Sequence, residues 1–139
     1  MNRLFSAAGL FTVLAATTFS YGQSSTVKAD VPFAFQMGET TMPAGTYFIR
    51  ESGFLLTVQG EAGHPSAMIL ANPESRRDKA SHGSLEFTRY GGDYFLTKVW
   101  DGDSEGHGRA LPKGKREKEL ARRATFGQTE QVALQTNRH

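Results

Sequence analysis

Three carboxylates in one short segment are the residues best suited to chemistry. Asp101, Asp103 and Glu105 alternate with small or polar residues, and Gly106 follows them. Calcium takes about six to eight oxygen ligands, and alternate acidic residues ahead of a glycine are typical of the opening of a calcium-binding loop. Pro112 occupies the position where a bidentate glutamate normally completes such a loop. This departure favours a solvated hairpin loop, so we expect no cofactor and keep Ca²⁺ at Asp101, Asp103 and Glu105 as the alternative.

Aromatic and basic side chains of a predicted hairpin form the second candidate site. Tyr90, Tyr94 and Trp100 lie on or beside its two strands, and Arg89 precedes Tyr90. Aromatic rings at a sheet face or a barrel mouth can stack on sugars or hold an apolar ligand, although the same residue types also fill cores. We predict Arg89, Tyr90, Tyr94 and Trp100 as a ligand-binding surface.

No residue pattern predicts an enzyme. The chain has no cysteine, which excludes thiol catalysis and cysteine-based zinc sites. His64, His82 and His107 fall in predicted loops without a metal-ligand spacing, and no serine lies in a G-x-S-x-G turn. We therefore predict a non-catalytic protein. The alternative is a metal-dependent or hydrolytic enzyme that uses the loop from Asp101 to His107.

Residues 1–22 have the layout of a secretory signal peptide. Arg3 provides a positive charge, a largely apolar run without charges continues to Phe19, and small residues stand at the −3 and −1 positions of a cut before Gln23. The apolar run is too short to span a membrane easily. We expect export to the periplasm or the medium, a mature domain of residues 23–139, and no transmembrane segment after cleavage.

Charge is distributed unevenly along the chain. The 139 residues carry a formal net charge of +2. Residues 113–139 hold seven Lys and Arg against three Glu, and the preceding body is mildly acidic. A basic tail on an acidic body does not indicate a nucleic-acid-binding protein. Glutamates interrupt the basic run, which therefore fits a solvated helix face better than a site for a polyanion or a membrane surface.

Apolar alternation and turn signals predict an all-β fold. We predict strands over 31–36, on both sides of a Ser52-Gly53 turn, over 67–71, 85–90, 94–100 and 129–136, and a helix over 113–124. Regularly spaced strands without a βαβ pattern favour a single-domain antiparallel β-sandwich or a small β-barrel, with one short C-terminal helix. The pattern leaves the choice between sandwich and barrel open, because closure depends on register.

The pairing within the first predicted hairpin follows from the consistency of its faces. A two-residue turn at Ser52-Gly53 would place Ile49 opposite Leu56 and Tyr47 opposite Val58, so that one face is apolar in both strands. The second hairpin has two candidate registers. A two-residue turn would pair Phe87 with Leu96.

A three-residue turn in that second hairpin would instead pair Leu85 with Val99 and Glu86 with Lys98. The residues do not decide between the two turns. The stretch from Asn72 to Gly83 is polar and charged, and we interpret it as an exposed loop. We also interpret residues 37–42 and 101–108 as loops. The continuous apolar run over 67–71 predicts a strand that is covered on both faces.

Four motifs appear in an order that resembles a known family. They read Val31-Pro32-Phe33-Ala34-Phe35, Met42-Pro43-Ala44-Gly45-Thr46-Tyr47, Tyr94-Phe95-Leu96 with Val99-Trp100, and Glu117-Lys118-Glu119-Leu120-Ala121. The order resembles a family of short exported proteins from soil bacteria with the patterns V-P-F-x-F, L-P-A-G-x-Y, Y-F-L-x-x-V-W and E-x-x-L-A. Met42 replaces the usual leucine. The family has no established activity, so the resemblance implies export and a domain core of about 27–124, and no function.

These observations together predict a non-catalytic binding or interaction module of the cell envelope or extracellular space. Its expected partner is an envelope protein, a glycan or a small apolar ligand, and no nucleic acid is expected. A structural subunit that pairs with another chain through a sheet edge near Val31–Phe35 is a further hypothesis.

Overall fold

The computed structural model describes residues 26–76, 82–102, 106–123 and 127–135. The elements in these ranges are β1 (Val27–Val31), β2 (Phe35–Met37), β3 (Thr40–Met42), β4 (Gly45–Ser52), β5 (Leu55–Gly60), β6 (Ser66–Leu70), β7 (Asn72–Ser75), β8 (Ser84–Tyr90), β9 (Asp93–Trp100), β10 (His107–Ala110), α1 (Lys115–Arg123) and β11 (Gln128–Ala133). The predicted signal peptide, residues 1–22, lies outside the described residues.

The strands form two sheets. The smaller sheet has the order β1-β4-β5-β6, and the larger has the order β11-β8-β9-β10-β7, with β2 and β3 attached beside β9. Neighbouring strands are antiparallel except where β2 meets β9 at Gln36 and Phe95. The inner faces of the two sheets enclose one apolar core, so the fold is the predicted all-β sandwich with one short C-terminal helix, and the barrel alternative is set aside.

Pro32 marks the point where the chain changes sheet. β1 pairs with β4 in the smaller sheet, whereas β2 belongs to the larger one. The prediction of one continuous strand over 31–36 is therefore wrong. Proline has no N–H to donate to a ladder, which suits a break between strands. In this break Phe33 stacks on Tyr94 with ring centroids 3.8 Å apart.

Among the described residues, one backbone bridge joins the two sheets at one side. The Lys28 N–H donates to the Gln135 carbonyl at 3.1 Å, and the Gln135 N–H donates to the Lys28 carbonyl at 2.7 Å. The Gln135 amide also donates to Asp30 at 3.2 Å. The predicted last strand is confirmed as β11, which pairs with β8, and this bridge fixes its end to the smaller sheet.

The first hairpin keeps the predicted faces but has a different register. Ile49 lies opposite Val58, so the turn is formed by Gly53-Phe54 and the prediction of a Ser52-Gly53 turn is wrong. Gly53 has a φ of +59°, and a glycine at the first turn position suits a two-residue hairpin loop. Because the pairing shifts by two residues, the same side chains remain on the apolar face.

The second hairpin contains both predicted registers. Phe87 pairs with Leu96 near the turn, and Leu85 pairs with Val99 farther away, with an irregularity between Glu86 and Phe87. Thr97 is the extra residue on β9, and its hydroxyl donates to the Glu86 carbonyl at 3.0 Å. A β-bulge therefore reconciles the two alternatives that the sequence left open.

The structure corrects three further predictions. Residues 37–42 form the β2–β3 hairpin instead of a loop, and residues 72–75 form β7, which pairs with β10. Residues 67–71 were expected to be covered on both faces, but β6 is an edge strand whose Met68 and Leu70 are 69% and 68% exposed. The predicted helix is confirmed as α1, which ends at Arg123 within the described residues.

Candidate functional site

A cavity of about 230 Å³ opens at one end of the sandwich. Val27 and Ile49 reach it from the smaller sheet, and Val99 and Leu134 reach it from the larger sheet side. Glu51 and Asp101 complete the lining. Four apolar side chains from both sheets therefore line the cavity, and we call them its apolar floor. We call the two carboxyl groups, those of Glu51 and Asp101, its rim.

Strand ends place these side chains together. Val27 begins β1 and pairs with Ile49 of β4, two residues before Glu51. Asp101 directly follows β9, and its N–H donates to the His107 carbonyl at 3.0 Å, which fixes the backbone next to β10. Because the strands of two packed sheets run in similar directions, the ends of β4 and β9 can lie on the same side of the sandwich. These two strand ends place Glu51 beside Asp101.

Glu51 is the central polar group of the rim. Its side chain is 27% exposed, and its Oε2 lies 3.7 Å from Nε of Arg109, which reaches across from β10 in the larger sheet. The Asp101 carboxyl group lies beside it, and the two can share a hydrogen bond when one of them is protonated. Two adjacent carboxyl groups are most stable when they hold one proton between them, since like charges at contact repel.

The surroundings raise the pKa of Glu51 from 4.5 to about 7. Burial is the largest cause, because it disfavours the charged form; the charge and hydrogen bond of Asp101 act in the same direction, and Arg109 opposes them. The rim can therefore hold or release a proton near neutral pH, which is the range required for acid–base chemistry and for pH-dependent binding.

A second concavity of about 260 Å³ lies on the outer side of the same charged group. It is bordered by Pro73 and Glu74 of β7, by His107 and Arg109 of β10, and by Asp101. Asp101 lines both concavities, whereas Arg109 lines only the outer one. Arg109 therefore approaches Glu51 from outside the apolar cavity.

The structure does not bring the four predicted ligand-binding residues into one site. Arg89 and Tyr94 are neighbours, with the guanidinium carbon 5.7 Å from the ring centroid. Tyr90 instead contacts Phe95 at 5.8 Å between centroids. Trp100 lies six residues beyond Tyr94 on the same strand, or about 20 Å away at the rise of an extended chain.

Trp100 is held by polar partners outside the apolar core. Its indole N–H donates to Glu86 at 2.8 Å. The Arg76 guanidinium lies 4.6 Å from its ring centroid and Lys98 Nζ lies 5.6 Å from it. Only 3% of Trp100 is exposed, so its ring is a packing element and offers little surface to a ligand.

The predicted calcium ligands are only partly described. Asp101 lies at the cavity rim, whereas Asp103 and Glu105 lie outside the described residues. In ranges 26–76, 82–102, 106–123 and 127–135, no three His, Cys, Asp or Glu side chains are close enough to hold one metal ion. His64, His82 and His107 form no such group in those ranges. Within the same part of the chain, no helix is both long and apolar enough to cross a membrane.

A second carboxyl group departs from ordinary behaviour on the helix. Glu117 of α1 is only 4% exposed, and its Oε1 has no hydrogen-bond partner among the described residues. Burial raises its pKa, and Lys113 opposes that shift. Glu117 lines neither the cavity beside Glu51 nor the outer concavity, so the cavity at Glu51 is the better candidate site.

Comparison with known proteins adds no further assignment. No family model, no curated protein and no solved structure matches this chain. The site must therefore be interpreted from its own geometry.

Sequence reasoning missed Glu51 and Arg109. Glu51 carried a usable signal, because Tyr47 and Ile49 continue in steps of two to Glu51, which places a carboxyl group on the face that otherwise enters the core. Arg109 carried none, since β10 was not predicted and its contact with Glu51 joins residues that are far apart in the chain.

Proposed function

We propose that this protein is an exported, non-catalytic binding module of the cell envelope or extracellular space, and that the cavity beside Glu51 holds its ligand. The cavity carries the proposal. It combines an apolar floor with a small number of polar groups, which is the usual composition of a small-ligand site. Its volume of about 230 Å³ suits a ligand smaller than a drug-sized molecule.

The rim supports binding more strongly than it supports catalysis. Glu51 and Asp101 give the cavity an orienting pair of hydrogen-bonding groups, and the apolar floor gives affinity through burial. A nucleophile beside a base, or donors arranged for an oxyanion, would be needed for a catalytic proposal. The proposed role therefore needs only capture of a ligand and its protection from water.

Native mass spectrometry of the protein purified from the periplasm and medium of its host tests this proposal. We expect a chain that begins at Gln23 and carries a reproducible small-molecule adduct. Replacement of Val99 by Phe fills the cavity and should remove the adduct, whereas Ile69→Val, on the distant strand β6, should leave it in place. A bare mature chain from both fractions would refute binding, and a full-length chain confined to the cytoplasm would refute export.

A hydrolytic enzyme that uses the segment from Asp101 to His107 is the second candidate function. One observation favours it: Asp101 contacts Glu51, whose pKa of about 7 suits a general acid or base. Chromogenic ester and glycoside substrates test this candidate. A rate that is lost in both Glu51→Gln and Asp101→Asn would support it, and a rate unchanged in these variants would exclude these residues.

A further inference from the structure

We propose that the cavity beside Glu51 binds a small organic cation, namely a primary amine with a short apolar tail. The ammonium group would lie between the carboxylates of Glu51 and Asp101, and the tail would lie on the apolar floor. This inference rests on the proposed function and specifies the chemical class of its ligand.

The charge of the cavity is the first argument. Glu51 and Asp101 both line it, and its described lining contains no basic side chain. Arg109 contacts Glu51, with its Nε 3.7 Å from Oε2, and lines the outer concavity. When both carboxyl groups are ionised they outnumber this one guanidinium, and the three groups together carry one negative charge, which a single cation inside the cavity would neutralise.

The geometry of the rim favours an ammonium group over a larger cation. Glu51 and Asp101 are close enough to share a hydrogen bond. An ammonium is compact and has three donors, so it can bridge two adjacent carboxylates and replace the proton that lies between them. A guanidinium is planar and rigid, and it is better suited to one carboxylate in a bidentate pair.

The floor of the cavity determines the rest of the ligand. The side chains of Val27, Ile49, Val99 and Leu134 are hydrocarbon, so a ligand that packs against them has an apolar part beyond its ammonium group. A volume of about 230 Å³ corresponds to roughly eight water molecules at about 30 Å³ each. A tail of about four to six carbon atoms therefore fills the cavity without disturbing the sheets.

Alternative ligands fit the cavity less well. A carboxylate would meet two groups of its own charge, and a neutral alcohol would leave the rim charge without a counter-charge. A bare divalent cation would be desolvated on one side by the apolar floor, although calcium requires about six to eight oxygen ligands. The observations therefore favour an amphipathic monocation.

Isothermal titration calorimetry with three probes of matched length tests the inference. The mature protein would be titrated at pH 8 with n-pentylamine, 1-pentanol and pentanoate, and with Ca²⁺ in a separate run. We expect binding of n-pentylamine that is at least tenfold tighter than binding of either other organic probe. Because the comparison uses the unaltered protein, it does not depend on whether any variant folds.

Two variants then locate the binding site. Glu51→Gln should weaken n-pentylamine binding by about tenfold or more, the usual loss for one charge-assisted hydrogen bond. The control is Glu61→Gln. Glu61 follows β5 and lies beside Thr46 at the start of β4, whereas Glu51 lies near the end of β4. This variant should leave the affinity within about twofold. Heteronuclear NMR spectra should show shifts at Val27 and Val99 on addition of the amine.

The possible results separate this inference from the proposed function. Tighter binding of pentanol or pentanoate would overturn the cationic ligand and leave the binding function standing. Tighter binding of Ca²⁺ than of the amine would overturn it in favour of a metal site. Absence of binding by any probe would overturn the inference, and the adduct measured on the native protein would then decide the binding function separately.

Discussion

Replacement of Glu51 by Gln should remove a specific pH dependence of stability. The pKa of Glu51 is about 7 in the folded protein and 4.5 in the ordinary, solvated state. The folded state therefore binds the proton more strongly between these two values. Stability is greatest at the acidic end of this window, falls as the pH rises from about 4.5 to 7, and is constant above it as far as this group is concerned.

The size of the effect follows from the same values. One pKa unit corresponds to about 1.4 kcal/mol, so a pKa raised from 4.5 to about 7 corresponds to a loss of at most about 3 kcal/mol across the window. Only 27% of the Glu51 side chain is exposed, so solvent screens the effect incompletely. Gln has a similar shape and no titration, and its variant should lack this slope.

Urea unfolding followed by circular dichroism at pH 5, 6, 7 and 8 measures this slope. The difference between the wild type and Glu51→Gln isolates the contribution of Glu51, since all other titrating groups are common to both. Ile69→Val, which changes no titratable group, should give the slope of the wild type. Parallel stability curves for wild type and Glu51→Gln would refute the assignment of a raised pKa to Glu51.

The neighbours of Glu51 provide directional checks on the cause. Asp101→Asn removes a charge that raises the pKa of Glu51, so the pH range over which stability falls should end at a lower pH. Arg109→Ala removes a charge that lowers this pKa, so the pH range over which stability falls should extend to higher pH. Burial is the largest cause, and the slope should therefore persist in Asp101→Asn. A slope abolished by Asp101→Asn would show that the neighbouring charge outweighs burial.

Three further predictions concern the frame around the site. Trp100→Phe removes the 2.8 Å hydrogen bond to Glu86 and should lower the free energy of unfolding by about 2 kcal/mol in urea titrations; an unchanged midpoint would contradict this. Gly102→Ala should abolish the folded circular dichroism spectrum, because its Cβ would lie 2.2 Å from a backbone nitrogen. Gly91→Ala has open space around its Cβ and should lower the free energy of unfolding by only about 1 kcal/mol. Leu70→Gln, at a position that is 68% exposed, should change stability by less than about 0.5 kcal/mol in the same titrations; a larger loss would show that this edge is covered.

Local patterns were sufficient to predict most strands and their faces. The alternation around Ile49 predicted which side chains are buried even though the turn was misplaced by one position, because a two-residue shift preserves the faces. The prediction of one continuous strand over 31–36 is wrong for a different reason. Val31 and Phe35 have the same parity and are both buried, but they belong to different sheets, and no short window of sequence contains that information.

The edge strands were the least predictable elements. β7 and β10 are short and polar, and each is stabilised mainly by pairing with the other and, for β10, with β9. Such strands have weak propensity signals, since their structure depends on hydrogen bonds to distant residues. The misassignment of β7 and β10 as loops also concealed Arg109 and the outer concavity.

The bulge at Thr97 explains why the predicted site and the observed cavity differ. If the same residues of β9 paired without a bulge, continued alternation from the inward-facing Leu96 would turn Trp100 inward and Val99 outward. The bulge reverses this parity, so Val99 enters the cavity and Trp100 lies outside the core. Gly108 of β10 lies opposite Trp100 of β9. A Cβ at residue 108 would lie 2.5 Å from the indole ring, so the ring leaves no room for a side chain at this position.

The same reversal connects the bulge to the chemistry of the rim. Glu86 and Lys98, two polar partners of Trp100, are held on the outer face, and the carboxyl pair lies on the inner side, where Arg109 contacts Glu51. If the same residues of β9 paired without a bulge, Lys98 would gain a place on the inner face, where its ammonium would add a second positive charge beside Glu51. The bulge in β9 thus keeps the Lys98 ammonium away from the cavity, and the proposed cationic ligand would supply a positive charge there.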